Sequence, residues 1–329
     1  MKKVKVAVIG TGYLGRQHVR VLSQLENVNL VGVVDKNLQT AQAVAEEYST
    51  KAYVSYETLV GQVSAVSLAV PTREHGTIGC DLLRHGVDVL VEKPIASSMS
   101  EAQALIEVAR QNHRILQVGH LERFNPAVIA ARKMLTTPLF FEVHRLGVFS
   151  SRSLDIDVVL DLMIHDLDLV LDFAQSSVKQ VSAVGLPILT DKVDIANARI
   201  EFFSGCVANL TASRVSTEKV RKLRLFQPNQ YLSLDFSRQD VVVLSLQESR
   251  NDRHPVVLPR KIEAPKVEPL KAEVESFLNS VQTRCQPEVS AESSKKALEL
   301  AHQVAMKIQE HTYELSLASR SKLASSSLE

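Results

Sequence analysis

The sequence predicts a doubly wound α/β domain with a parallel sheet over residues 1–120. An α+β domain with a mostly antiparallel open sheet follows over 121–329. Three observations carry this. Apolar runs alternate with helical stretches over the first 120 residues, which is the pattern of βαβ units. Those runs are apolar nearly throughout, as strands are when helices cover both sheet faces. Beyond about residue 121 the alternation gives way to closely spaced strand-like runs.

Strand-like runs fall at 4–9, 28–34, 65–69, 87–91 and 115–118. Helical stretches at 12–25, 38–48, 74–84 and 100–112 separate them. In the second part, a helix at 126–135 leads to a strand at 140–148 and an apolar stretch at 158–173. Runs at 198–203 and 206–213 flank Ser204-Gly205, a two-residue hairpin signal. Strands at 223–226, 231–236 and 241–246 continue the sheet. Residues 255–269 hold four prolines and read as an extended connector. Helices at 271–281 and 291–311 follow, and the serine-rich tail from about 314 is expected to fray.

The 329 residues carry 38 Lys+Arg and 37 Asp+Glu, a net charge of +1. That balance excludes a nucleic-acid binder working through bulk electrostatics and a polybasic membrane-surface protein. The three cysteines, Cys80, Cys206 and Cys285, are too widely spaced for a C-x-x-C motif and fit a reducing cytoplasm. No stretch has the length and hydrophobicity of a transmembrane helix, and the glycines after Ile9 argue against a signal peptide.

Gly10-Thr11-Gly12-Tyr13-Leu14-Gly15 fits G-x-G-x-x-G directly between a strand and a helix. The first glycine makes the tight turn, the second lets a pyrophosphate approach, and the third packs helix on strand. Free N–H groups and the positive dipole end of the helix favour phosphate. Asp35 ends the second strand, where an acidic residue accepts hydrogen bonds from the adenine ribose. This is a dinucleotide-binding (Rossmann) arrangement, although a methyltransferase also pairs a Gly-rich loop with an acidic second strand. Asp35 repels a 2′-phosphate and favours NAD. Lys36 beside it tempers that preference, which keeps NADP as the second choice.

Two further features carry chemistry. The strand at 87–91 runs into Glu92-Lys93-Pro94. Ligands of a doubly wound sheet lie beyond the carboxyl ends of its strands. There the Lys93 ammonium can orient a substrate hydroxyl or share its proton; an exposed loop lysine is the plainer alternative. The stretch at 158–173 is apolar nearly all round, as buried helices are. At 100° per residue, Asp161, His165, Asp168 and Asp172 fall within about 60° of one another. Asp161 and His165 are i, i+4 neighbours, so the carboxylate can orient the imidazole as a general base. A structural histidine in a capped stripe is the alternative. The pair lacks a third ligand for a metal, and none is expected. Asp155 to Asp172 holds six aspartates and no Lys or Arg, around this one histidine.

These residues resemble the glucose–fructose oxidoreductase / inositol dehydrogenase / MocA (Gfo/Idh/MocA) family. GTGYLG, Asp35, the segment from Val70-Pro71 to His75, Glu92-Lys93-Pro94 and Asp161-x3-His165 carry the resemblance. It implies a Rossmann domain, a C-terminal open-sheet domain that forms homo-oligomers through its sheet, and NAD(P)-dependent chemistry at a sugar or cyclitol carbon. It carries Lys93, Asp161 and His165 over as catalytic positions, and Val70, Pro71, His75, Glu92 and Lys93 as cofactor contacts. Val70-Pro71 departs from the frequent Thr-Pro. GHLERFNPA (Gly119 to Ala127), the run from Asp157 to Asp168, and KVRKLRLF resemble one branch, the UDP-N-acetylglucosamine 3-dehydrogenases. In that branch His120, Arg123, Asn125, Asp157, Asp161 and His165 are expected to meet substrate. Asn125 before Pro126 equally fits a helix N-cap. The basic residues from Lys219 to Arg224 read as a solvated strand face.

The expected function is NAD-dependent hydride transfer at a sugar carbinol carbon, C3 of a UDP-N-acetylhexosamine, in the cytoplasm. The base is either His165 or Lys93. The alternatives are a cyclitol or other sugar dehydrogenase of the same family and a non-catalytic dinucleotide sensor that binds a partner protein.

Overall fold

The computed structural model describes residues 3–150, 156–247, 256–263 and 265–326, with side chains through Tyr313. In chain order the first part reads β1 (Val4–Ile9), α1 (Tyr13–Ser23), β2 (Val28–Val34), α2 (Leu38–Glu47), β3 (Ala52–Tyr53), β4 (Ala65–Leu68), α3 (His75–Arg84), β5 (Asp88–Glu92), α4 (Met99–Gln111) and β6 (Leu116–Gly119). Next come α5 (Pro126–Arg132), β7 (Phe140–Leu146) and α6 (Ile164–Ala174). The strands β8 (Val178–Leu186), β9 (Ile195–Phe202), β10 (Val207–Ser213), β11 (Val220–Gln227), β12 (Gln230–Asp235), β13 (Asp240–Gln247) and β14 (Val256–Glu263) follow. The chain closes with α7 (Pro269–Thr283) and α8 (Ala291–Ser326).

Two compact units form, Met1–Phe124 with Val267–Lys296, and Asn125–Lys266 with Ala297–Glu329. They are not the consecutive stretches 1–120 and 121–329. The chain returns to the first unit because α7 presents Val274, Phe277, Leu278 and Val281 on one helical face. These side chains pack with Val6 and Val8 of β1 and Val19 and Leu22 of α1. Burial of Phe277 and Leu278 stabilises that attachment by roughly 1.5–3 kcal/mol each.

The first unit is the predicted doubly wound sheet. Its strand order is β3-β2-β1-β4-β5-β6, and all pairs are parallel. Side-chain caps set the helix starts: Asn37 accepts from the N–H groups of Gln39 and Thr40, and Ser98 from that of Glu101. The order reverses at β1, where β2 lies on one side and β4 on the other, so the loops after β1 and β4 border the ligand crevice.

The second unit holds one eight-stranded sheet, β14-β13-β12-β11-β7-β10-β9-β8, antiparallel except for the β7–β10 pair. Its strands alternate buried and exposed residues, as in β9, because helices cover one face only. Ala127 and Val128 of α5, Leu167 and Val170 of α6 and Ala301 and Val304 of α8 pack with the inward side chains of the sheet.

Several elements differ from the expectation. The proline-rich stretch contains β14, an edge strand in which Pro259 pairs opposite Leu244. Proline is tolerated on an edge, where a missing donor costs no ladder bond. β8 forms where the sequence shows no clear period-2 alternation. The β9–β10 connection has Glu201 opposite Val207 and Gly205 at φ +86°, a hairpin whose left-handed position sits on glycine. The backbone of α8 is helical through Ser326. On β11, Leu223 and Leu225 point inward, and Arg224 pairs outward with Glu142 at 2.8 Å, as a solvated basic face requires. Among the described residues no helix is long and apolar enough to cross a membrane.

Candidate active site

In the first unit the parallel sheet sends every β–α loop to one edge. The Gly10–Gly12 turn follows β1, Asp35 follows β2, Val70-Pro71 comes just after β4, Lys93 follows β5 and His120 follows β6. The cofactor residues predicted for this unit are therefore brought together by topology.

The loop has the geometry a dinucleotide needs. Gly10 sits at φ +91°, and a Cβ there would lie 2.3 Å from the Ala69 carbonyl oxygen. A Cβ on Gly15 would lie 1.8 Å from the Gly10 carbonyl oxygen, so α1 can approach β1 only with glycine there. At Gly12 a Cβ would meet nothing within 4 Å, which leaves open space above the start of α1. The cap position, Gly12, makes no side-chain hydrogen bond to that start, and the first N–H groups of a helix have no intrahelical partner. Tyr13 and Leu14 are exposed on the first turn. The helix start, the open room beside Gly12 and Asp35 together fit a dinucleotide pyrophosphate and ribose.

Asp35 accepts from the Thr11 N–H at 2.9 Å, the Thr11 hydroxyl at 2.8 Å and the Asn37 N–H at 2.9 Å. Burial opposes its ionisation, but these three donors outweigh burial and hold its pKa below the ordinary value. The carboxylate is therefore charged at neutral pH. Lys36 is drawn off to Glu74 at 2.8 Å and does not neutralise it. NADH is expected to bind more tightly than NADPH in paired titrations; tighter NADPH binding would overturn this assignment.

Lys93 is half-buried directly after β5, and its bond to Pro94 is cis. Glu92 beside it faces inward: Oε1 lies 2.8 Å from His18 Nε2 and Oε2 accepts the Lys93 N–H at 3.2 Å. Burial works against the Glu92 charge, but the His18 hydrogen bond and charge, then Lys93, hold its pKa below the usual range. His75 is buried, with Nδ1 at 2.9 Å from the Pro94 carbonyl and Nε2 at 2.9 Å from the Val70 carbonyl. Burial lowers its pKa more than the two carbonyls raise it. Rather than projecting toward solvent, His75 ties the loop after β4 to the loop after β5. His120 and Arg123 are likewise buried, just after β6 and on the turn that follows.

In the second unit, residues Val159–Met163 form a π-helical turn that leads into α6. The expectation of α-helical spacing from 158 onward therefore fails in the first turn. π-Turns inside helices are frequent at functional sites. Asp161 lies in this turn and His165 one turn on, and both are half-buried. The rest of the expected polar stripe divides. Asp168 is buried, and Asp172 pairs with Arg132 at 2.7 Å. Asp166, off the stripe, forms a buried bidentate pair with Arg145. Asp157 accepts from the N–H groups of Val159 and Leu160 at 2.9 Å each, which makes it the cap of the turn. Asp155 lies outside the described residues.

Asn125 takes the cap position that Pro126 announced. Its Oδ1 accepts the Ala127 N–H at 3.1 Å and its Nδ2 donates to the Phe236 carbonyl at 3.0 Å. Buried, with its amide oxygen and nitrogen both hydrogen-bonded, it shapes the start of α5. Sequence reasoning missed His18 and Glu273, which flank Glu92 in the first unit, and the Arg145–Asp166 pair. His18 stands three residues beyond Gly15, on the face of α1 that must meet the sheet, and that spacing is the one signal in the sequence.

Residues 4–120 match the Gfo/Idh/MocA oxidoreductase family, NAD-binding Rossmann fold, and residues 142–227 match the Gfo/Idh/MocA C-terminal domain. The chain is 38% identical over 282 residues to UDP-N-acetylglucosamine 3-dehydrogenase of Acidithiobacillus ferrooxidans, spanning 85% of this chain and 90% of that protein. The chain belongs to the Gfo/Idh/MocA family. It is thus an NAD-binding oxidoreductase. A solved structure of the Acidithiobacillus enzyme superposes with a TM-score of 0.89 at 36% identity, covering 94% of this chain and 99% of that one. The myo-inositol 2-dehydrogenase of Lactobacillus plantarum shares the Gfo/Idh/MocA fold, with a TM-score of 0.80 at 19% identity over 94% of this chain and 98% of that one.

Proposed function

We propose that this protein is an NAD-dependent dehydrogenase acting at C3 of a UDP-N-acetylhexosamine. The observation that carries the reading is the 38% identity, over 85% of the chain, to a relative named for that activity. Lys93 and the Asp161–His165 pair supply the chemistry. Lys93 polarises the oxygen of the reacting hydroxyl, and His165 takes its proton. Asp161, one turn earlier, orients the imidazole. Gly10, Gly12 and the first N–H groups of α1 hold the pyrophosphate, and Asp35 accepts from the adenine ribose. The chemistry that NAD supplies when bound is acceptance of the hydride from the carbinol carbon.

The protein acts in the cytoplasm as a homo-oligomer joined through the second unit's sheet. The outward-facing Val184, Leu186, Phe226 and Leu246, exposed on strands of that sheet, support this association. A panel of nucleotide sugars, free sugars and inositols with NAD, followed by nicotinamide absorbance, tests the substrate. Reduction with UDP-N-acetylglucosamine is expected. Turnover confined to inositols or free sugars would replace this reading, and NADH binding without turnover of any of them would point to a sensor.

A further inference from the structure

Three acid–base side chains converge inside the first unit. His18 comes from α1, Glu92 from the end of β5 and Glu273 from the first turns of α7. One nitrogen or oxygen from each lies within 4.8 Å of the others. Two of the three are fully accounted for. His18 Nδ1 meets the Ser67 hydroxyl at 2.8 Å, and its Nε2 meets Glu92 at 2.8 Å. The third is not. Glu273 is 1% exposed, and neither of its carboxyl oxygens has a hydrogen-bond partner among the described residues. Beside it, Gln117 gives its Nε2 to the Glu273 carbonyl and keeps a buried, unpartnered Oε1.

A buried carboxylate without donors, next to a second carboxylate, is among the costliest arrangements in a protein interior. A proton removes that cost and supplies the missing donor. We propose that Glu273 is a positioning residue for the reaction, a neutral carboxylic acid whose O–H is shared with the Glu92 carboxylate. Glu92 is thereby fixed between two donors, His18 and Glu273, and its other oxygen holds the main chain of Lys93. The proposal rests on the reading of Lys93 as a catalytic group. The electrostatics agree with it. Burial first, and then the charge of Glu92, push the Glu273 pKa well above its ordinary value, while that of Glu92 is held below. The other titratable groups around the pair are His18 on α1, Lys93 after β5, His75 at the start of α3, and Glu122 and Arg123 on the turn packed against α7.

Infrared difference spectra of the full protein test the proton directly. The carbonyl stretch of a protonated carboxylic acid is expected at neutral pH in the wild type and is lost in Glu273→Gln. Stability gives a second readout. A carboxyl raised in the folded state contributes stability that is complete below its unfolded value of 4.5 and is lost as pH rises through the folded value. The wild type should therefore weaken with rising pH in that window, and E273Q should not. In kinetics, E273Q keeps turnover and flattens the pH profile, because the amide donates where the acid did. Glu273→Leu lowers kcat by about 10-fold, the scale on which outer partners of reactive groups act, and leaves the KM for NAD unchanged. Absence of the acid band at neutral pH, or a stoichiometric divalent cation in the purified protein, would overturn the proposal. Wild-type kinetics in E273L would remove the positioning role. The spectra and the stability profile need no turnover, so failure of the proposed function is distinguishable from failure of this proposal.

Discussion

Lys93→Ala is expected to lower turnover by at least ~100-fold, and His165→Ala by as much. This corresponds to about 2.7 kcal/mol of transition-state stabilisation for each residue. The proposed roles place the main loss on turnover. Lys93 lies after β5, whereas the glycine turn follows β1 and Asp35 follows β2. His165 is not among the expected cofactor contacts, so the NADH dissociation constant of His165→Ala should stay near wild type, and titration by fluorescence checks this. The same pair decides which group is the base. A pH–rate profile reports the pKa values of the essential acid and base, so the variant that erases the acidic limb identifies the base. If His165→Ala turns over at the wild-type rate, His165 leaves the mechanism. If Lys93→Ala does so, the reading of the β5 loop fails with it.

Much of this site is legible in the sequence because it depends on local order. A glycine turn between a strand and a helix, an acid ending the next strand and a lysine ending a later one each need only their neighbours. The parallel topology then brings them to one edge. The cap at Asn125 was legible for the same reason, since Pro126 fixes the first helical position. What the sequence hid is set by distance or by context. His18, Glu92 and Glu273 are far apart in the chain, and only the packing of α7 on the first unit brings the last of them in. Arg123 is buried, and nothing in its local sequence signals that. The turn around Asp161 follows an apolar pattern that a 100° period describes well, yet its backbone is π-helical. Pro259 argued against a strand, and only its place at the sheet edge permits one.

Breaking the buried pair in the second unit should have the largest effect on stability. Arg145 donates through Nε to Asp166 Oδ2 at 2.9 Å and through Nη2 to Oδ1 at 2.7 Å, and both side chains are about 97% buried or more. The guanidinium also lies 5.4 Å from the centre of the Phe236 ring. Asp166→Ala leaves the guanidinium buried without its carboxylate, which is expected to cost ~3–5 kcal/mol. Replacing both partners gives a different result. Arg145→Met with Asp166→Leu removes both desolvated charges and is expected to be near neutral, or stabilising by about 1–4 kcal/mol. Urea unfolding of Arg145→Met, of Asp166→Leu and of the double closes the cycle. The pair bridges β7 to α6 immediately beside His165. The double variant therefore separates two roles that the single variant confounds. If it restores stability but not turnover, the ion pair sets the orientation of the helix that carries His165. If it restores both, apolar packing holds α6 equally well, and the charges are dispensable for the chemistry.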